Sequence, residues 1–397
     1  MVQELIKQEG EAASRPETGN ATDKKMVLVG THRVCSPEET LARVEPLLPL
    51  VGITRVAEIT QLDELGIPVF QAIRPNSRNV SVSQGKGISR PLAKVSAIME
   101  SVESWHAEQP QLASTRAKVG EMAQCLAYSI YDLNLSKHHL IHDNLELEWF
   151  AARRLDTGEE TFVPADYIRL DFTTTLDWLL PTFYTTSNGL ASGNTFEEAV
   201  LHGLYEVIER DTFERVRTGA CSKTPVDAST VDGAASASIL ELLWRARVSV
   251  EIFSASGPGG IGCFEASITS ATYPIKAVGY GCHLDRDVAL SRALTEAAQS
   301  RLSIISGARD DIRHHAYVGI RNRRPALRSV TAQPLLDFRQ TPSSPHSSLS
   351  ADLEEVIGRV HAVTAFPPLV VDLTRQDLNI PVAFVVVPTF RFLETLQ

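Results

Sequence analysis

The feature that most constrains this chain is a pattern that occurs three times, Ala-x6-Glu-x2-Glu/Gln: Ala93 with Glu100 and Glu103, Ala199 with Glu206 and Glu209, and Ala289 with Glu296 and Gln299. Each copy lies in a stretch whose small and apolar residues recur at helical spacing. Each also follows glycines that read as a turn: Gly85-Lys86-Gly87, Gly189 to Gly193, and Gly279-Tyr280-Gly281. The copies therefore predict related strand, turn and helix units. A spacing of three puts both polar side chains of a copy on one helix face, about 5–6 Å apart at Cβ. They flank stretches that read as core, such as Val95, Ala97 and Ile98, or Val207 and Ile208. One copy alone would pass for the solvated face of an amphipathic helix. Three copies concentrate like charges, at a cost in repulsion unless a cation or ligand neutralises them. Mg2+ carrying phosphates fits, because it keeps several waters and takes only one or two carboxylates per ion. Glu100, Glu103, Glu206, Glu209 and Glu296 are accordingly the candidate metal ligands.

A chain of 397 residues is long enough for one large domain or two ordinary ones. Its net charge of -10, from 38 basic and 48 acidic residues, speaks against a general nucleic-acid or anionic-membrane surface. Cys35, Cys125, Cys221, Cys263 and Cys282 are odd in number and widely spaced, which supports neither zinc nor a disulfide framework. No stretch reads as a signal peptide or a membrane span, so the expected location is cytoplasmic. Residues 1–25 read as a polar tail too poor in apolar surface to order itself, with the fold beginning near Met26.

Ser36-Pro37-Glu38-Glu39 has the form of a helix start with a capping box, and a helix to about Leu47 follows. Strand-like runs are predicted over Val51 to Ile59, Ile67 to Ile73, Val248 to Ser254, Gly262 to Ser267, Ile275 to Tyr280, Leu369 to Asp372 and Val382 to Val387. Helices are predicted over Ala237 to Ala246 and Leu353 to Val363. In the middle segment, about residues 110–180, Leu147 to Ala152 and Glu160 to Val163 read as a hairpin around Asp156-Thr157-Gly158. Its edge is either structural or an acceptor for an extended peptide. The Pro- and Ser-containing residues 331–350 read as a loop or linker.

Backbone amides at a glycine turn opening onto a helix can hold phosphate, and Lys86 could add a point charge there or be a surface lysine. Glu198 is three residues past Thr195, so a capping box accounts for it without a ligand. Arg210, next to Glu209, and Arg301, two past Gln299, offer guanidinium forks for a phosphoryl group. Trp105 and His106 read as packing residues, and His314-His315 as a surface pair. A Gly-x-Ser-x-Gly elbow and a Walker-type loop are both missing from the sequence. No residue is singled out as a catalytic base or nucleophile.

Taken in order, Gly85-Lys86-Gly87 with Ser96-x3-Glu100-x2-Glu103, Ser187-Asn188-Gly189-Leu190-Ala191-Ser192-Gly193-Asn194 leading to Glu206-x2-Glu209-Arg210-Asp211, and Ala293-Leu294-Thr295-Glu296-x2-Gln299-x-Arg301 resemble the YcaO family. The resemblance covers roughly residues 26–390. It implies an α/β fold of strand-turn-helix units around a shared nucleotide-metal cleft, one domain over 26–397. It also implies that Ser96, Glu100, Glu103, Asn194, Glu198, Glu206, Glu209, Arg210, Glu296 and Gln299 line a site for ATP and Mg2+. Such enzymes phosphorylate a peptide-bond oxygen after a nucleophile has attacked the amide carbon. A neighbouring Cys, Ser or Thr gives an azoline, an amine an amidine, and sulfide a thioamide. Ser104 stands where many members have Arg, and residues 388–397 lack the proline-rich ending of many azoline-forming members. This points to a stand-alone enzyme of the bottromycin type or one paired with a TfuA-type protein. The expected substrate is a ribosomally made precursor peptide. Azoline (thiazoline) or macrocyclic amidine formation is the first expectation, thioamide formation with a TfuA-type partner the second, and an ATP-binding scaffold without turnover the third. Self-association into a homo-oligomer stays open.

Overall fold

The computed structural model describes residues 25–173, 181–312 and 334–392. The expectations for the first 24 residues, for His314-His315 and for the last five residues lie outside them. The described strands form four sheets. A small hairpin pairs β1 (Met26–Leu28) with β2 (Thr31–Arg33). It leads into α1 (Pro37–Val44), where Ser36 caps and the Glu39 carboxylate returns the bond, as the capping box required. A three-stranded antiparallel sheet follows, in the order β3 (Arg55–Glu58), β4 (Val69–Ile73), β5 (Val82–Lys86).

A six-stranded sheet contains β6 (Ser114–Lys118), β7 (Glu146–Arg154), β8 (Glu160–Pro164) and β9 (Leu190–Ser192), together with β15 and β16 (Leu369–Asp372 and Val382–Val386) from the end of the chain. The five-stranded sheet runs β13-β12-β11-β10-β14: Ala277–Cys282, Gly262–Thr269, Ser249–Ser256, Lys223–Asp227 and Leu336–Asp337. Its neighbours are antiparallel except for β10 and β14.

The three motif copies occupy the three long helices α2 (Arg90–Glu108), α3 (Phe196–Arg217) and α5 (Arg286–Ser306). Helix α4 (Ala234–Arg245) packs beside α5, and α6 (Leu349–His361) beside α3. Each motif helix follows a strand at the end of its sheet order: β5, β9 or β13. Each lies on its own strand and also touches that of the next unit, α2 against β9, α3 against β13 and α5 against β5. The contacts close a ring, so three units from three different sheets meet at one centre.

The glycines explain how each helix comes so close. Gly85 and Gly279 lie within strands, not in turns, which corrects the sequence expectation. A Cβ on Gly85 would stand 1.9 Å from the Ala97 nitrogen, and one on Gly279 2.3 Å from Ala293 O and Ala297 N. Gly193, just past β9, would meet the Ala199 nitrogen at 2.5 Å. Alanines of the helix and glycines of the strand are therefore one device, the removal of side chains where backbones touch. The helix starts carry their own caps, Ser89, Thr195 and Asp285, and the Gly87 and Gly193 amides donate to Pro68 O and Pro381 O.

One other expectation changes. The linker read over 331–350 is packed where described: β14 joins the five-stranded sheet and Phe338 is buried against Phe264. The hairpin of β7 and β8 is present, with Thr161 Oγ1 bonded to Ala127 N and Cys125 O, and Phe162 O accepting from the Tyr128 hydroxyl.

Gly85→Ala is expected to destabilise the fold by about 3 kcal/mol or more through forced separation of β5 and α2. Gly358→Ala, within α6 and with nothing inside 4 Å of the added carbon, should gain about 1 kcal/mol. Chemical denaturation of both variants checks this; equal effects of one sign would contradict the close-approach account.

Candidate functional site

At the centre of the ring is a cleft of about 720 Å³ lined from all three units. Lys86, Ser96, Glu100 and Glu103 come from the first, and Asn194, Glu198, Glu206, Glu209 and Arg210 from the second. The third contributes Glu296 and Gln299. The structure thus brings together every candidate read from the sequence except Arg301.

Arg301 is a correction. Five residues beyond Glu296, at about 100° per residue, it points roughly 140° away from the cleft face. Its guanidinium is buried elsewhere, with Nε and Nη2 donating to the Asp63 carboxylate at 2.8 and 2.9 Å. Arg210, four residues past Glu206, keeps to the cleft face, with Nε 4.0 Å from Glu209 Oε1.

Glu198 and Asn194 line the cleft but are engaged by protein. Glu198 Oε2 accepts from Val34 N at 2.9 Å, and its Oε1 from Asn194 Nδ2 at 3.1 Å. Thr195 caps the Glu198 amide, but the carboxylate turns to these partners instead of completing a box. Asn194 Oδ1 accepts from Thr40 and Arg43. The pair ties the entry of α3 to β2 and α1. Gln299 Nε2 donates to Gln84 O at 2.9 Å, which pins α5 to β5.

The remaining carboxylates are short of cations. Lys86 Nζ pairs with Glu296 Oε2 at 2.7 Å. Burial works against ionisation of Glu296, yet Lys86 and Arg210 hold its pKa below the ordinary value. The others move the opposite way. Burial, with the Glu100 and Glu206 charges, pushes Glu103 up to about 8, despite bonds from Ser192 N and Oγ at 2.9 and 2.5 Å. Burial and the Glu296 charge raise Glu209 to about 7. Burial also raises Glu100 and Glu206. These four groups would be stabilised as anions by an added cation.

Among the described residues no three His, Cys, Asp or Glu side chains are disposed to grip a metal ion unaided. The carboxylates instead face one another across a cleft with room for a large ligand. This donor set suits a hard cation that brings oxygen ligands of its own.

Sequence reasoning missed Arg33, His202, Arg292 and Arg309, all of which line the cleft. For two of them the signal was there. His202 and Arg292 lie four residues before Glu206 and Glu296, as Ser96 lies four before Glu100, so each helix presents one further polar residue on the same face.

A family model described as YcaO cyclodehydratase, ATP- and Mg2+-binding, matches residues 84–391. The chain belongs to the YcaO family. ATP and Mg2+ are therefore its cofactors. A Mycobacterium tuberculosis protein without an assigned function is 41% identical, over 77% of this chain and 71% of its own. A protein from the tfuA 3′ region of Rhizobium leguminosarum bv. trifolii is 34% identical, over 90% of this chain and 88% of its own. Among solved structures, YcaO from Methanopyrus kandleri bound with AMPPCP and Mg2+ superposes with a TM-score of 0.73 at 26% identity, covering 93% of this chain and 95% of that one. A heterocyclase in complex with substrate and cofactor shares the fold at a TM-score of 0.77 and 22% identity, covering 94% of this chain and 54% of that one. Among the described residues no helix is long and apolar enough to cross a membrane.

Carboxyls with raised folded-state pKa values contribute stability that is full below the unfolded value, about 4.3, and is lost as pH rises through the folded value. For Glu209 that loss runs from about 4.3 up to about 7, and for Glu103 from about 4.3 up to about 8, so that above pH 7 Glu103 carries most of it. His32, His202 and His283, held below their ordinary value by burial, act in the opposite sense only on the acid side. Without Mg2+ or nucleotide, the melting temperature should therefore fall from pH 7 to 8.5, and fall less steeply in Glu103→Gln. A slope that the substitution leaves unchanged contradicts the assignment.

Proposed function

We propose that this chain uses Mg-ATP to activate backbone amides of a ribosomally made peptide for attack by a nucleophile. The observation that carries the proposal is the convergence of five glutamates with Lys86, Arg210 and Arg292 in one cleft. Four of those carboxyls, Glu100, Glu103, Glu206 and Glu209, are held above their ordinary pKa by burial, with their charge only partly compensated. In this reading Glu100, Glu103, Glu206, Glu209 and Glu296 hold Mg2+, and Lys86, Arg210 and Arg292 meet phosphate oxygens. Ser96 and Gln299 contribute hydrogen bonds, while Asn194 and Glu198 act from behind by fixing the mouth of α3. The bound nucleotide supplies the phosphoryl group that turns an amide oxygen into a leaving group. The residues of the cleft position the reactants and balance charge. The Methanopyrus kandleri structure, named for its bound AMPPCP and Mg2+, supports the cofactor part. The heterocyclase named for its bound substrate, and a microcin synthetase complex sharing the fold, support a peptide substrate.

The nucleophile sets the product. An internal Cys, Ser or Thr, or an amine, would give an azoline or an amidine. A second reading, sulfide as nucleophile with a TfuA-type partner, is favoured by the 34% identical relative from the tfuA 3′ region. Mass spectrometry of a precursor peptide encoded beside this protein, incubated with ATP and Mg2+, separates them. Dehydration removes about 18 Da, and exchange of oxygen for sulfur adds about 16 Da, the latter only with sulfide and the partner present. Glu206→Gln and Glu209→Gln should keep the fold and lose modification by about 100-fold or more. A folded Glu209→Gln protein with normal turnover at limiting Mg2+ would remove that residue from the metal site.

A further inference from the structure

His202 and Arg292 are joined in a way the carboxylate account does not use. Arg292 Nη2 stands 3.1 Å from His202 Nε2. Among the described residues Arg292 forms no carboxylate ion pair, and its buried Nε has no hydrogen-bond partner. A guanidinium at the wall of an anionic cleft is thus tethered by a neutral group, with donors left over. Arginine recognises phosphate through a planar fork, which works only when the plane is fixed.

The surroundings decide which ring nitrogen of His202 can accept. The Arg292 guanidinium carries donors only, so the His202 Nε2 that faces it at 3.1 Å is the accepting nitrogen. That leaves Nε2 with its lone pair toward Arg292. Burial, then Arg292, Arg33 and Lys86, keep the imidazole neutral, the form this arrangement needs. The contact of His202 with Arg292 links α3 to α5, as the Ser192 N–H and hydroxyl, donated to Glu103, link the end of β9 to α2.

We infer that His202 is a positioning residue whose unprotonated Nε2 orients the Arg292 guanidinium, so that the remaining N–H groups face a bound polyphosphate. This rests on the Mg-ATP reading above. Removal of Arg292 should test that reading, and removal of His202 alone should test the tether.

The experiment is titration calorimetry of MgATP on the full chain, with melting curves to monitor the fold. Arg292→Ala should weaken binding about 10- to 100-fold, as loss of a charge-assisted contact does, and His202→Leu about tenfold. His202→Gln can place an amide oxygen where Nε2 stood and should bind within about threefold of the native chain. His202→Asn, whose shorter amide ends near the Nδ1 position and cannot reach Arg292, should behave like the leucine variant. An unaffected Arg292→Ala would remove Arg292 from phosphate binding and take the inference with it. A weakened Arg292→Ala beside an unaffected, folded His202→Leu would overturn the tether and leave the nucleotide reading standing. Gln as weak as Asn would also overturn it, and this comparison of two amides decides the matter if the leucine variant does not fold.

Discussion

The approach of helix backbone to strand backbone at Gly85, Gly193 and Gly279 is the constraint on which the rest depends. Any side chain there would overlap main-chain atoms of the following helix. The contact fixes how each helix sits on its strand, and so fixes which way its Glu-x2-Glu/Gln face looks. The ring of cross-unit contacts then turns three such faces toward one space. A carboxylate cluster assembled this way does not have to be stabilised locally. The buried contacts of Ala93, Ala97, Ala199, Ala293 and Ala297 with the neighbouring strands hold it in place.

Electrostatics follows from that geometry. Burial, and then the repulsion of anions that cannot move apart on three packed helices, raises the affinity for protons at Glu103 and Glu209. Lys86 answers Glu296 and Arg210 stands 4.0 Å from Glu209, which leaves Glu100, Glu103 and Glu206 for a ligand. Cross-unit hydrogen bonds, Ser192 to Glu103 and Gln299 to Gln84, tie the members together. A ligand that neutralises one carboxylate is therefore felt by its neighbours on the other helices.

Much of this was legible in the sequence because helical spacing is a local property. The repeat placed the carboxylates on three helices, and β-favouring runs located β4, β11, β12, β13, β15 and β16. What failed depended on contacts between distant segments. Gly85 and Gly279 read as turn residues because nothing local says that a helix returns to lie on the strand. Residues 334–350 read as a linker from their prolines and serines, although Phe338 anchors them in the core. Arg301 was placed by nearness in sequence, whereas its angle on α5 sends it to Asp63. His202 and Arg292 were overlooked because they fall among the six unspecified positions between the alanine and the first glutamate of the pattern.

The account stands or falls on whether a metal-nucleotide discharges the carboxylate cluster. Calorimetric titration of MgATP at pH 7.5, repeated in buffers of different ionisation enthalpy, counts the protons exchanged on binding. Glu103 and Glu209, held at about 8 and about 7 in the free protein, should ionise as the cation arrives, giving binding with net proton release. Binding with no proton exchange, or no binding at all, would contradict it.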